Sequence, residues 1–148
     1  MDIRRLNTVL LDTSACVYFL DEPVGSPRSR VVSPFVRAAE RGKLRLLLSP
    51  VTVAELLVRP MRDRHAEDEA RARLFVEAIC QTVDLTSSGA VEAARLRAAY
   101  AMSMPDALIL AAAVASDVDA VLGNDRRWKR IPDIDYRHID DHLPRAEA

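Results

Sequence analysis

The sequence predicts an α/β fold, a mainly parallel sheet of four to five strands with helices on both faces. Three observations carry this. Short unbroken apolar runs recur along the chain, Thr8-Val9-Leu10-Leu11, Arg45-Leu46-Leu47-Leu48 and Ala120-Val121-Leu122, which is how strands buried on both faces read. Segments of helical period separate them, so strands and helices alternate, as in βαβ units. The chain has 148 residues, the size of one domain.

In order, Thr8 to Leu11 is the first strand, closed by Asp12-Thr13-Ser14, and residues 15–20 form a short helix. Pro23, Gly25, Ser26 and Pro27 mark a loop. Residues 31–41 are helical, and Gly42 is placed to end that helix. The second strand covers 45–48, and Ser49-Pro50 leads into a helix over 52–61. Residues 62–79 read as one long, partly exposed helix. A third strand covers 82–85. Ser87 or Ser88 caps a helix over 89–101. The helix over 104–116 is apolar nearly all round, hence central. The fourth strand, 120–122, ends at Gly123-Asn124-Asp125, and 136–139 is a fifth strand at the edge. Residues 1–143 form the domain and 144–148 a frayed tail.

Twenty-one basic residues face twenty-two acidic ones, a net charge of -1, which excludes a strongly basic DNA-coating protein. The balance conceals segregation: residues 23–73 hold eleven basic and six acidic side chains, a local +5, between acidic ends. No apolar run approaches the roughly 20 residues of a membrane span, so a cytoplasmic protein away from membranes is expected. Cys16 and Cys80 lie in apolar surroundings and read as buried thiols. His65, His138 and His142 sit in charged stretches and read as surface residues without zinc-ligand spacing. Phosphate-binding glycine loops and the Gly-x-Ser-x-Gly elbow are absent from the sequence.

Four carboxylates stand in the least polar stretches. Asp12 and Asp125 follow the first and fourth strands, and Glu55 and Asp106 lie early in apolar helices. Each has a local explanation: Thr52-x-x-Glu55 and Ser103-x-x-Asp106 fit capping boxes, and Asp12 and Asp125 fit helix caps. As a set they open onto one edge of the sheet, where ligands of open α/β folds bind. Clustered carboxylates repel each other, and a hard divalent cation with oxygen ligands removes the repulsion. Mg²⁺ or Mn²⁺ so held suits phosphodiester hydrolysis. Arg28, Arg30, Arg59 and Arg62, in the basic stretch, are candidates for the phosphate backbone of a polyanion, with a solvated surface or contact to a protein partner as the alternative.

Four blocks together resemble the PIN-domain ribonucleases, in particular the VapC-type toxins of toxin–antitoxin pairs. They are Val9-Leu10-Leu11-Asp12-Thr13-Ser14, Val53-Ala54-Glu55-Leu56, Met104-Pro105-Asp106-Ala107-Leu108-Ile109-Leu110-Ala111-Ala112-Ala113 and Val121-Leu122-Gly123-Asn124-Asp125-Arg126-Arg127-Trp128. The resemblance spans residues 8–140. It implies a Mg²⁺- or Mn²⁺-dependent endoribonuclease for single-stranded RNA, with Asp12, Glu55, Asp106 and Asp125 as the acidic metal site. Thr13 or Ser14 corresponds to a hydroxyl that orients a carboxylate or a bound water. It also implies a homodimer and a small, VapB-like antitoxin as partner. The chain departs from the pattern at Gly123, where the family usually carries Thr or Ser, leaving Asn124 to compensate. The apolar faces of the helices over 31–41 and 52–61 fit a dimer or partner surface. Two other readings compete. A receiver-like signalling module would need a phosphoacceptor Asp after a middle strand and a late Lys, for which only Asp84 and Lys129 offer themselves. An inactive PIN scaffold would not need its four acids.

Overall fold

The structure, a computed structural model, describes residues 1–144; the expected frayed tail lies, but for Pro144, outside the described residues. Five parallel strands form one sheet in the order β3-β2-β1-β4-β5. They are β1 (Thr8–Leu11), β2 (Arg45–Leu48), β3 (Gln81–Thr82), β4 (Ala120–Gly123) and β5 (Tyr136–His138). The helices are α1 (Thr13–Leu20), α2 (Pro27–Glu40), α3 (Pro50–Asp63), α4 (Ala66–Leu74), α5 (Ser87–Tyr100) and α6 (Met104–Ala115).

Alternate strand residues serve two cores, because successive side chains point to opposite faces. Val9, Leu11, Leu46, Leu48 and Leu122 pack with α1, α2, Phe75 and Val76. Leu10, Leu47 and Val121 pack on the other face with Leu96 of α5, Ile109 and Leu110 of α6, Trp128 and Tyr136. Both faces are covered, which is why the strands read as continuous apolar runs. The order places β1 beside β4, with chain crossing to either side of the pair, so the crevice of this topology opens at their carboxyl ends.

Several elements differ from the sequence expectation. Pro27 opens α2 instead of lying in a loop: Ser26 caps the helix through the Ser29 N–H at 3.3 Å, and proline suits a first helical position. Gly42 ends α2 as expected, with φ 66° and the Gly42 and Lys43 N–H groups donating to Ala39 O and Ala38 O at 2.9 Å. The long helix over 62–79 is broken. Arg64 takes a left-handed φ of 55°, and the His65 N–H donates to Pro60 O at 2.9 Å; α4 then starts afresh, its first turn carrying Glu67, Asp68 and Glu69, which suits the helix dipole. Its end widens into a π turn over Phe75–Ile79. β3 is two residues long, so Asp84 and Leu85 lie beyond it. Thr86, not Ser87 or Ser88, caps α5 through the Gly89 N–H at 3.1 Å. β5 stops at His138, and Ile139 begins a 3-10 turn. His138 is buried, contrary to the surface reading, and its Nδ1 accepts the Asp140 N–H at 3.2 Å. Cys16 and Cys80 are buried free thiols, as expected.

The α2 face, with Val31, Val32, Phe35 and Val36, is consumed by the core. Of the two helices singled out for a surplus apolar face, α3 alone exposes large apolar groups, Val58 and Met61. Among the described residues no single helix is long and apolar enough to cross a membrane.

Candidate active site

Asp12 is the first residue past β1, where its N–H donates to Leu122 O of β4 at 3.0 Å. That ladder bond locks it at the mouth of the crevice. Its carboxylate caps α1, with Oδ1 accepting the Thr13 N–H at 2.7 Å and Oδ2 accepting the Ser14 hydroxyl at 3.4 Å. Only 7% of Asp12 is exposed, and burial pushes its carboxyl up to about 7, with the charges of Asp106 and Glu55 pushing the same way.

Glu55 is held from across the crevice. Thr52 does not cap α3; Ser49 does, accepting the Val51 N–H at 3.2 Å. Thr52 is instead fully buried one turn before Glu55, and its hydroxyl lies 3.1 Å from that of Thr13. The Thr13 hydroxyl in turn meets Glu55 Oε1 at 3.2 Å. Asp106 sits in the first turn of α6, and its N–H donates to the capping Ser103 hydroxyl at 3.3 Å. That is one half of the expected capping box.

Asp125 also caps, accepting the Arg127 N–H at 3.0 Å. The Arg127 guanidinium grips the same carboxylate, with Nη2 2.5 Å from Oδ2, and holds Asp125 below the usual carboxylate range. Asn124 donates from Nδ2 to the Tyr18 hydroxyl at 2.7 Å, while its Oδ1 is buried and has no hydrogen-bond partner among the described residues.

These residues share one open cleft of about 240 Å³, walled by Asp12, Thr13, Ser14, Glu55, Asp106, Ile109, Asn124, Asp125 and Trp128. All four acids and the three neighbours picked out from sequence are therefore brought together. Capping and clustering proved compatible, since Asp12 and Asp125 do both. A larger groove of about 410 Å³ adjoins the cleft between α1, α3 and α4 and shares Glu55.

The basic candidates scatter. Arg28 is engaged by Asp140 at 2.9 Å and stacks 5.0 Å above the Tyr18 ring. Arg59 lines the larger groove, 3.9 Å from Asp63. Arg62 pairs with Asp63 at 2.9 Å. Arg30 is exposed and makes no ion pair among the described residues. Two contacts escaped the sequence reading: Arg127, whose adjacency to Asp125 was the available signal, and Tyr136, whose hydroxyl accepts the Asp125 N–H at 2.9 Å.

For a divalent ion, the donor chemistry fits: hard carboxylate oxygens of four acids line the cleft beside a buried amide oxygen that has no partner among the described residues. The side chains are not yet convergent. Among the described residues no three His, Cys, Asp or Glu groups stand close enough to hold an ion as placed. Closing the set needs rotation of side chains such as exposed Glu55 and Arg127-bound Asp125.

A doubly covered parallel sheet with four acids around one cleft, Asp12 and Asp125 following β1 and β4 and Glu55 and Asp106 on α3 and α6, defines an acidic-cleft α/β protein. The PIN domain model matches residues 9–134, so the chain belongs to the PIN domain family. The receiver-like alternative loses its parts: Asp84 follows β3, which is an edge strand of the sheet, and stands outside the acidic cleft, and Lys129 is paired with Asp141 at 2.6 Å.

Solved structures share the fold. A chain of VapBC2 from Rickettsia felis, bound to a DNA fragment from its promoter, is 17% identical with a TM-score of 0.73, over 88% of this chain and 98% of that one. A chain of DNA-bound VapBC from Salmonella typhimurium is 21% identical with a TM-score of 0.64, over 90% and 99%. VapC20 from Mycobacterium tuberculosis, a Sarcin-Ricin loop cleaving toxin, is 15% identical with a TM-score of 0.60, over 80% and 90%. No curated protein matches the chain in sequence.

Proposed function

We propose that this protein is a Mg²⁺- or Mn²⁺-dependent endoribonuclease for single-stranded RNA, acting as the toxin of a toxin–antitoxin pair. The observation that carries the reading is the meeting of Asp12, Glu55, Asp106 and Asp125, from four separate segments, on one cleft at the β1–β4 edge. Asp12, Glu55 and Asp106 would hold the ion, with Asp125 assisting once it turns from Arg127. The ion, when bound, would activate a water for in-line attack on phosphorus and stabilise the leaving oxygen.

The chain's own residues do the positioning. Thr13 and Thr52 aim Glu55, Ser14 and the Thr13 N–H fix Asp12, and the start of α6 presents Asp106. Deep burial of Asp12 excludes competing water from one side of the cluster. Arg59, beside Glu55 in the adjoining groove, is the best placed of the four arginines for the RNA backbone.

VapBC complexes among the structural neighbours support a small antitoxin as partner, and the exposed Val58 and Met61 of α3 support a protein contact, including a homodimer. The test is to titrate Mn²⁺ calorimetrically into the purified chain and to map the ends of cleaved single-stranded RNA. The reading expects one or two bound ions, 5′-phosphate and 3′-hydroxyl products, and loss of both binding and cleavage in Asp12→Ala and Asp106→Ala.

A further inference from the structure

β4 ends in Gly123 because two other side chains occupy the space a Cβ would need. A Cβ there would collide with the Tyr136 hydroxyl and stand 2.7 Å from Asp12 Oδ2 and 2.8 Å from Asp12 Cβ. The Tyr136 hydroxyl and the Asp12 carboxylate thus border the same small volume above a bare backbone.

Tyr136 reaches this point from β5, which pairs with β4 in the register Val121 to Tyr136. Its ring is buried and packs edge-on against Trp128, centroids 5.6 Å apart. Its oxygen accepts the Asp125 N–H at 2.9 Å, which leaves the hydroxyl proton to be donated elsewhere. Across the gap the neighbouring acceptor is Asp12 Oδ2, which borders the same space above Gly123. One hydroxyl therefore stands against two of the four acids, bonded to the backbone N–H of Asp125 and facing the carboxylate of Asp12 across the space above Gly123.

We propose that Tyr136 is a positioning residue of the acidic site: entering through the gap left by Gly123, its hydroxyl fixes the Asp12 carboxylate and the Asp125 backbone relative to each other. The inference rests on the nuclease reading above and adds a residue to it. Groups that orient ligand side chains commonly govern metal affinity and rate by about 10-fold or more.

The test is Tyr136→Phe, which keeps the ring on Trp128 and removes only the hydroxyl. Expected are faster hydrogen exchange at the Asp125 amide, a Mn²⁺ Kd about 10-fold weaker, and a kcat for RNA cleavage about 10-fold lower with KM for RNA unchanged. Ile134→Ala is the control, since Ile134 packs in the same cluster and its hydrogen bond to Tyr136 runs through the backbone, Tyr136 N–H to Ile134 O at 3.0 Å; it should lower Tm and leave the Mn²⁺ Kd alone. Wild-type Mn²⁺ affinity and kcat in Tyr136→Phe, or an equal loss in Ile134→Ala below its Tm, overturns the proposal. A parent chain that neither binds Mn²⁺ nor cuts RNA overturns the nuclease reading instead. The Asp125 amide separates the two failures: unchanged exchange in Tyr136→Phe rejects the positioning contact whatever the activity.

Discussion

The Thr13 hydroxyl stands 3.2 Å from Glu55 Oε1 and ties the start of α1 to the middle of α3 across the mouth of the cleft. Glu55 is exposed, so without this contact its carboxylate would sample many rotamers. Thr13→Val keeps the shape and removes the hydroxyl. RNA cleavage should fall about 10-fold, while stability changes by about 1 kcal/mol; comparing kcat with urea unfolding separates the two effects.

Asp12 carries a pH dependence. Its carboxyl titrates at about 7 in the folded chain against an ordinary 3.8. Between those values the folded, metal-free chain holds a proton that the unfolded chain has lost, so stability falls as pH rises from about 4 to about 7. The full penalty is on the order of 4 kcal/mol. Asp12→Asn removes it. In chelator at pH 8 this variant should melt roughly 10 °C above the parent, the two should converge near pH 4, and equal melting at both pH values contradicts the prediction.

Arg127 competes for Asp125. Its guanidinium is two-thirds exposed, so the pair is screened and modest in energy. Arg127→Gln should free the carboxylate and tighten Mn²⁺ binding about threefold, read by calorimetry at low salt. Weaker binding would assign Arg127 a supporting role in the site.

Gly123→Ala should be costly although the residue lies in ordinary strand conformation. The added methyl must displace the Tyr136 hydroxyl or the Asp12 side chain, an overpacking cost of about 1–3 kcal/mol. Thermal unfolding should show the loss, and Tyr136→Phe in the same chain should recover part of it, because one of the two obstructing groups is then gone.

What was legible in the sequence was what repeats locally. Leu46-Leu47-Leu48 reads as a strand because both its faces are buried, and Gly42 stops α2 because its φ is positive. The four acids stood out because ionised groups are expensive in apolar stretches. What escaped depends on partners far along the chain. Arg64 breaks a helix with no glycine or proline at the break to announce it. Thr52 reads as a cap from its spacing to Glu55, yet Ser49 takes the cap and Thr52 turns to Thr13. At Gly123 the sequence shows only an absent side chain, because the groups that fill its space, Tyr136 and Asp12, come from β5 and the end of β1. His138 looked exposed among charged neighbours, but β5 turns it inward.

The most direct test of the acidic cleft as a nuclease site is cleavage of a single-stranded RNA by the purified chain with Mn²⁺, with excess chelator, and with Asp106→Ala. Cleavage that requires the ion and disappears in the variant is the predicted result. Cleavage that persists in chelator, or survives at the parent rate in Asp106→Ala, would contradict it.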